Sequence, residues 1–324
     1  METLAVRGYV EVLRNLTKIF RMRAALIRQW LRDPPSVFVG IDAPDFNLGL
    51  EARLKAEGIK TVQYVSPQIW AWRPERVAKV KRAASLVLTV FPFETPLLEK
   101  EQVRAKYVGH PLAETLPLAP DRRAARERLD IPQSARVIAL LPGGRRSVVR
   151  NMAPLYIKTA RLVAQRLPGV TFAAPFVSEE TREQFSRAIK AHGGENLRCS
   201  LFVGRTHDVM AASDAVLVTA GTASLEAALA KRPMVITYRL SRLSHWTLKR
   251  KITGRYVGLP NILAGREVVP ELIQENATPQ KLADALLAAL AQDTQELTRI
   301  FTEMHHSLRS PHSAADAVLE LVDG

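Results

Sequence analysis

A chain of 324 residues with 47% hydrophobic and 24% charged side chains can bury one large or two ordinary cores, and two domains is the expectation. The single cysteine, Cys199, excludes an internal disulfide, and no Cys/His spacing of the zinc-binding kind occurs, so no structural metal is expected and a reducing cytoplasm suits the composition. A formal charge of +14 predicts attraction to something polyanionic, whether nucleic acid, an acidic lipid surface or a phosphorylated substrate, and does not choose among them.

Residues Tyr9 to Arg32 have helical spacing, with Tyr9, Val12, Leu13, Leu16, Ile19 and Phe20 along one stripe and Arg14, Lys18, Arg21, Arg28 and Arg32 largely elsewhere. The first 32 residues hold seven basic side chains against two acidic ones. Such a helix can lie in the interface of an anionic bilayer, or it can turn its stripe to a core and its basic face to water; the residues alone leave both open. The first 30 residues contain no apolar run of 18 or more and no small-residue cleavage site behind a hydrophobic block, so neither a spanning helix nor a secretory signal is expected.

From Val37 onward, short β-branched or apolar runs alternate with helical stretches. Strands are predicted at Val37 to Ile41, Thr61 to Val65, Leu86 to Val90, Lys106 to Val108, Val137 to Leu141, Thr171 to Ala174, Ala215 to Thr219 and Met234 to Tyr238. Helices are predicted between them, at Pro74 to Ala84, Val148 to Gln165, Glu179 to Ala191 and Thr222 to Ala230. This alternation implies βαβ crossovers and parallel sheets covered on both faces, an α/β class. Pro111 to Asp121, with three prolines and no helical period, is the expected linker. After Thr278 the pattern stays helical, with Pro311 as the only break. There is no internal repeat.

In open α/β sheets ligands bind beyond the carboxyl ends of the strands, which singles out Asp42 to Asn47, Pro142 to Arg146 and Ala220 to Ser224. Two domains with such ends facing across a linker would make one cleft. Asp42 places a carboxylate at a strand end, where it can act as a general base. Asp45 reads better as a cap for the helix that follows, and Asn47 as structural. In Gly143-Gly144-Arg145-Arg146, glycines admit a phosphate close to the backbone, a helix N-terminus offers amides and arginine adds a planar donor; an ordinary glycine turn with solvated arginines fits equally. Gly221, Thr222 and Ala223 can present amides to a diphosphate, with Glu226 one turn on to accept from ribose hydroxyls, against the alternative of a helix capped by Thr222. Two such turns in one domain favour a nucleotide ligand. Asn261, in a glycine-containing break, suits recognition of a base or sugar or is a plain turn amide. Trp70, Trp72 and Arg73 follow another strand end, where they can line an acceptor site or simply pack.

These segments together resemble one family. GIDAPDFN at Gly40 to Asn47, YVSPQIWAWR at Tyr64 to Arg73, FPFE at Phe91 to Glu94, VGHPL at Val108 to Leu112, LPGGRR at Leu141 to Arg146, GTASLEAALAKRPMV at Gly221 to Val235 and LPNILAGREVVPEL at Leu259 to Leu272 are similar to lipid-A-disaccharide synthases across essentially the whole chain. The resemblance implies a GT-B architecture of two Rossmann-like parallel-sheet domains facing a cleft. It divides the chain into residues 1–110, an acceptor and membrane-facing domain; 111–121, the linker; 122–292, the UDP-sugar donor domain; and 293–324, helices packing back across the domains. It implies transfer of 2,3-diacylglucosamine from UDP-2,3-diacylglucosamine to the 6-hydroxyl of 2,3-diacylglucosamine 1-phosphate, giving a β-1,6 disaccharide and UDP.

By that likeness Asp42 is the base, Arg145 a ligand of the UDP phosphates and Asn261 part of the nucleotide site. Gly143, Gly221, Thr222 and Glu226 complete the donor side, and Trp70, Trp72 and Arg73 are acceptor-side candidates. No metal or other cofactor is implied. Because both substrates are lipids of the cytoplasmic leaflet, the likeness also implies a peripheral position on the cytoplasmic face of the inner membrane, with Leu13, Leu16, Phe20, Arg14, Lys18 and Arg21 meeting anionic lipid. Homo-oligomerisation is left open. Nucleic acid is not an expected partner, since the basic residues are not interleaved with an aromatic stacking platform.

Two departures from the family pattern stand out. Gly144 and Val148 occupy positions where a serine and an acidic residue are usual, and no glycine-rich GEASGD segment precedes Met1. The second leaves the N-terminal domain incomplete, with an exposed strand edge expected, and keeps two alternatives in view: a fragment that binds UDP-sugar and membrane without transfer, or another UDP-sugar enzyme of the same fold.

Overall fold

The structure, a computed structural model, describes residues 9–67, 69, 76–239 and 255–323, and side chains of the first helix from Thr17 onward. The chain forms two α/β units, Met1–Pro111 with Ser307–Gly324, and Leu112–His306.

The first unit runs α1 (Tyr9–Arg32), β1 (Val37–Ile41), α2 (Pro44–Ala56), β2 (Lys60–Tyr64), α3 (Val77–Ala83), β3 (Leu86–Thr89), α4 (Glu94–Lys100) and β4 (Ala105–Tyr107). Its four strands are parallel in the order β1-β2-β3-β4, each joined to the next by a helical crossover because a parallel partner cannot be reached by a tight turn. Leu48, Val80, Ala83, Val87, Leu98 and Val103 bury one face. The other face, Val62, Leu86 and Leu88, is closed by Ala317 and Leu321 of the C-terminal helix (Ala314–Asp323). Lys60 Nζ donates to the Leu321 and Val322 carbonyls at 2.8 and 3.0 Å, so a cation sits at that helix's negative end. β1 is the sheet's edge strand and leaves Ile41 64% exposed.

The second unit runs α5 (Pro111–Thr115), α6 (Arg122–Arg128), β5 (Val137–Leu141), α7 (Arg146–Arg166), β6 (Thr171–Phe176), α8 (Glu179–Ala191), β7 (Cys199–Val203), α9 (Thr206–Ala212), β8 (Ala215–Thr219), α10 (Thr222–Leu229), β9 (Met234–Tyr238), α11 (Leu259–Ala264), β10 (Glu271–Ile273), α12 (Pro279–Ala291) and α13 (Gln295–Ser307); the last helix is α14. Six parallel strands lie in the order β10-β9-β8-β5-β6-β7. Its core joins Ile138, Leu140, Tyr156, Phe172, Phe176 and Leu217 with residues of α7 and α12. The central strands β5 and β8 are buried at every position, the continuous apolar pattern of a sheet covered on both faces.

Several expectations need correction. β7 and β10 are strands the sequence reading missed: β7 is a partly exposed edge without a continuous apolar run, and β10 is three residues at the opposite edge. The 111–121 segment opens with the short helix α5, and from Leu112 it belongs to the second unit. Within that unit His305 Nε2 lies 2.9 Å from the Ala113 carbonyl and His305 Nδ1 lies 2.7 Å from Lys231 Nζ. Residues 293–324 are not one block: the second unit extends to His306, while α14 seals the first unit's sheet, and the helical run has a further break between Ala291 and Gln295. The chain leaves and re-enters the first unit side by side, with His110 N donating to Leu308 O at 2.8 Å and Tyr107 Oη to Ser307 O at 2.6 Å. No helix among the described residues is long and apolar enough to cross a membrane.

In the first unit α2 lies directly on β1 at Gly40, where an added Cβ would stand 2.2 Å from Glu51 Oε1 and 3.0 Å from Asn47 Cβ. Glu51 is fully buried, and among the described residues neither of its oxygens has a hydrogen-bond partner. Burial pushes its carboxyl up to about 8, so it is neutral at physiological pH. A carboxyl raised in the folded state binds its proton there while the unfolded chain has released it. Stability therefore falls as pH rises from about 4.5 to about 8. Glu51→Gln removes this dependence: thermal melts should show the variant gaining on the parent as pH rises through that window, and a constant difference would place the titration elsewhere.

Candidate functional site

The carboxyl end of the first unit's sheet is built from left-handed turns. Asp42, Ala43 and Val65 have φ of 50°, 39° and 72°, a region that costs a non-glycine residue about 1–2 kcal/mol and is least suited to a β-branched side chain. Asp42 is exposed at the tip of β1; its amide donates to Tyr64 O at 2.9 Å, which ties the tip to β2. The Asp42 carbonyl accepts from Asn47 Nδ2 at 2.8 Å and from Gln63 Nε2 at 3.1 Å. Asn47 is thus structural, as its position suggested. Asp45 is not the cap of α2: Ala43 holds the N-cap position with no side-chain bond, and Asp45 lies in the first turn, paired with Arg76 Nη2 at 2.5 Å. Trp70, Trp72 and Arg73 lie outside the described residues, as do the side chains of Leu13, Arg14 and Leu16.

In the second unit β5 and β8 are neighbours, so the turns that follow them, at 142–145 and 220–221, emerge side by side at one edge of the sheet. Tyr156, buried in the middle of α7, fixes that edge: its hydroxyl donates to Leu141 O at 2.9 Å and lies 2.9 Å from Thr219 Oγ1. Gly143 has φ 111°, and an added Cβ would press on Val148 Cγ1 at 2.6 Å, so glycine is required there twice over. Val148, in place of the usual acid, packs over that turn and onto the core. At Gly144 an added Cβ would make only ordinary contact, at 3.4 Å from Val177. Arg145 is exposed at the N-cap of α7, while Arg146 is drawn to Glu180 at 2.9 Å.

Gly221, with φ 144° and ψ −163°, is the N-cap of α10 and bonds through no side chain, so the alternative of a Thr222 cap is not what forms. Thr222 and Ala223 begin the helix, and their N–H groups have no intrahelical acceptor. Glu226 is half-buried one turn on, beside a cavity of about 120 Å³ that Leu116, Pro117, His207 and Met210 also line. His207 Nε2 stands 3.2 Å from Glu226 Oε2. Burial raises the Glu226 carboxyl, and the His207 imidazole opposes the shift. His207 was not singled out in the sequence; only its place just after the β7 strand end could have flagged it.

Asn261 corrects the expectation of a ligand amide. It is fully buried, donating through Nδ2 to Val269 O and Glu271 Oε1, each at 2.8 Å, and accepting through Oδ1 from the Val268 and Val269 amides at 2.8 and 3.0 Å. Its donor and acceptor capacity is spent inside its own loop. Glu271 also accepts from the Val257 and Gly258 amides, so these two side chains together fold residues 257–271 against β9. Among the described residues no group of three or more His, Cys, Asp or Glu side chains is placed to hold a metal ion.

Chemically, the second unit offers two amide-bearing turns and an arginine to an anion, with a half-buried carboxylate nearby, and the first offers a carboxylate on a rigid turn. The Tyr156 hydroxyl is the cheapest part of this to test. Tyr156→Phe strands the Leu141 carbonyl in the core and should lower stability by about 1–3 kcal/mol in denaturant titration; an unchanged midpoint would mean the two strand ends are held by something else.

The family described as lipid-A-disaccharide synthetase matches residues 1–318. A curated lipid-A-disaccharide synthase of Methylobacillus flagellatus is 49% identical over 326 residues, covering 99% of this chain and 86% of the relative. One from Azoarcus sp. is 50% identical, covering 98% and 82%. Among solved structures, UDP-GlcNAc 2-epimerase from Neisseria meningitidis bound to UDP-GlcNAc superposes with a TM-score of 0.58 at 11% identity, covering 92% of this chain and 82% of that one. The Anabaena protein HepE in complex with UDP-glucose gives 0.54 at 16% identity, covering 93% and 80%. At such identities these structures establish the fold, two parallel-sheet units of the GT-B kind. Taken with the whole-chain relatives, they place this protein in the lipid-A-disaccharide synthase family of glycosyltransferases.

Proposed function

We propose that this protein transfers 2,3-diacylglucosamine from UDP-2,3-diacylglucosamine to the 6-hydroxyl of 2,3-diacylglucosamine 1-phosphate. The observation that carries the reading is the pairing of two phosphate-suited turns at adjacent strand ends, β5 and β8, in a chain whose relatives are synthases of this kind. The acceptor hydroxyl attacks the anomeric carbon as the bond to UDP breaks, with inversion. Asp42 takes the hydroxyl proton, and Arg145 with the amides at Gly143, Thr222 and Ala223 stabilises the charge left on the diphosphate. Glu226 accepts from the ribose hydroxyls, exchanging its contact with His207 for the sugar. Gly221 keeps the second turn open, since a Cβ there would meet nothing but its own strained backbone. Asn261 serves this site by shaping the loop beside β9. Trp70, Trp72 and Arg73 are assigned to the acceptor side.

The substrates' acyl chains require the first unit to meet the bilayer, on its cytoplasmic face, and α1 is the element assigned to that contact. Its later turns are committed inward: Leu26, Ile27 and Trp30 pack on Leu50, Leu54 and Ile59. Its earlier part turns outward, with Phe20 53% exposed beneath the Arg23 guanidinium and Lys18 and Arg21 exposed on the same stretch. A large aromatic flanked by cations is the composition of an interfacial anchor.

Asp42→Asn should lower turnover by about 10²–10⁴-fold while UDP affinity stays near the parent value, because a lost base affects the transition state. Arg145→Ala should instead weaken UDP binding by about 1.5–3 kcal/mol. UDP release from UDP-2,3-diacylglucosamine, with and without acceptor, and calorimetric UDP titration check both; turnover of UDP-N-acetylglucosamine with none of the acylated donor would overturn the substrate assignment.

Sedimentation with anionic vesicles tests the surface. Phe20→Glu with Lys18→Glu and Arg21→Glu should reduce binding and leave the melting temperature unchanged, whereas undiminished binding would assign the contact to another face.

A further inference from the structure

Two buried amides converge on the turn that carries Asp42. Gln63 is fully buried inside β2, where its register partner is Gly40, the residue whose missing side chain leaves room at the base of this turn. Gln63 Nε2 lies 3.1 Å from Asp42 O, 3.3 Å from Tyr64 O and 3.2 Å from Val65 O. Asn47 Nδ2 reaches the same Asp42 carbonyl at 2.8 Å and Ile41 O at 3.2 Å. The amide of Gln63 therefore spans both left-handed turns, the one after β1 and the one after β2. Strained φ values of this kind persist only where neighbours over-determine them, and here the over-determination comes from two buried side-chain amides, one from β2 and one from α2, that bond to the backbone of the turns.

We propose that Gln63 and Asn47 are positioning residues for sugar transfer, which clamp the Asp42 carbonyl from two sides and so aim the Asp42 carboxylate. The inference rests on the reading of Asp42 as the base. Neither amide reaches solvent or substrate; each acts through the backbone of residue 42. Gln63 has the larger effect, because its amide reaches carbonyls of both turns, whereas that of Asn47 reaches only the first. Relaxing either turn swings a side chain that projects from it, and a displacement of about 1 Å at a reacting group can cost on the order of 10²-fold in rate.

The test compares Gln63→Met, which keeps the length of the side chain and loses the donor, with Asp42→Asn and the double variant. The readouts are kcat, KM for both substrates, UDP affinity, and hydrogen exchange of peptides covering residues 39–48 and 62–67. Gln63→Met is expected to lower kcat by about 10–100-fold with KM and UDP affinity within about twofold, in keeping with a misplaced catalytic group. Exchange should rise in both peptides together, and the double variant should be no slower than Asp42→Asn. Unchanged exchange, or raised exchange with a parental kcat, overturns the proposal while leaving the base in place. An additive loss in the double variant overturns it also, since Gln63 would then act apart from Asp42. Parental turnover in Asp42→Asn would remove the base itself, a result that Gln63→Met cannot imitate.

Discussion

A parallel sheet that ends in a binding edge must satisfy the carbonyls released where each strand leaves the ladder. Those groups are too buried to rely on water, and leaving one unpaired costs on the order of 1–3 kcal/mol. Both units meet this constraint with a buried polar side chain. In the first it is Gln63 in β2, bonded to carbonyls of two successive turns; in the second it is Tyr156 in α7, bonded at the ends of β5 and β8. The turns that carry Asp42 on one sheet, and Gly143 and Gly221 on the other, inherit their rigidity from these bonds. Turns built this way are held by the core of their own unit rather than by their loops alone.

Charge follows a different logic. Several ion pairs join two exposed partners, such as Arg123 with Glu127 or Arg299 with Glu303, and pairs of this kind contribute little to stability. Asp214 is an exception, because it accepts from the buried Arg126, from Arg122 and from the Val137 amide, and so pins α6 to the start of the sheet. Arg126 spends its remaining donors on the Ala212, Pro132 and Gln133 carbonyls.

The route of the chain explains why the two units are not simple sequence halves. The first sheet has an apolar face, Val62, Leu86 and Leu88, that Ala317 and Leu321 of α14 cover. Burying it requires α14, which arrives only after the whole second unit has been made, and the Lys60 contact with the end of α14 fixes where that helix stops. The paired crossing at Tyr107 to His110 and Ser307 to Ser310 follows from this need.

Much of this was determined by the sequence on its own. The apolar runs at 137–141, 215–219 and 234–238 have the pattern of buried parallel strands, and the glycines at 143 and 221 sit where a side chain would clash or strain. These are local facts: periodicity and φ are properties of a few consecutive residues. The family strings located the strand-end turns for the same reason. Tertiary structure alone decided the rest, because each remaining question concerned which distant group a polar atom would meet. Asn261 read as a free amide until its loop closed on Val268, Val269 and Glu271; Asp45 read as a cap until Arg76 came alongside; Glu226 gave no sign of His207. Gln63 in a strand and Glu51 in a helix look like ordinary surface residues in one dimension, and only the placement of α2 over Gly40 buries them together. Hydrogen-bond partners beyond a few residues are fixed by packing, and packing is what a linear pattern does not carry.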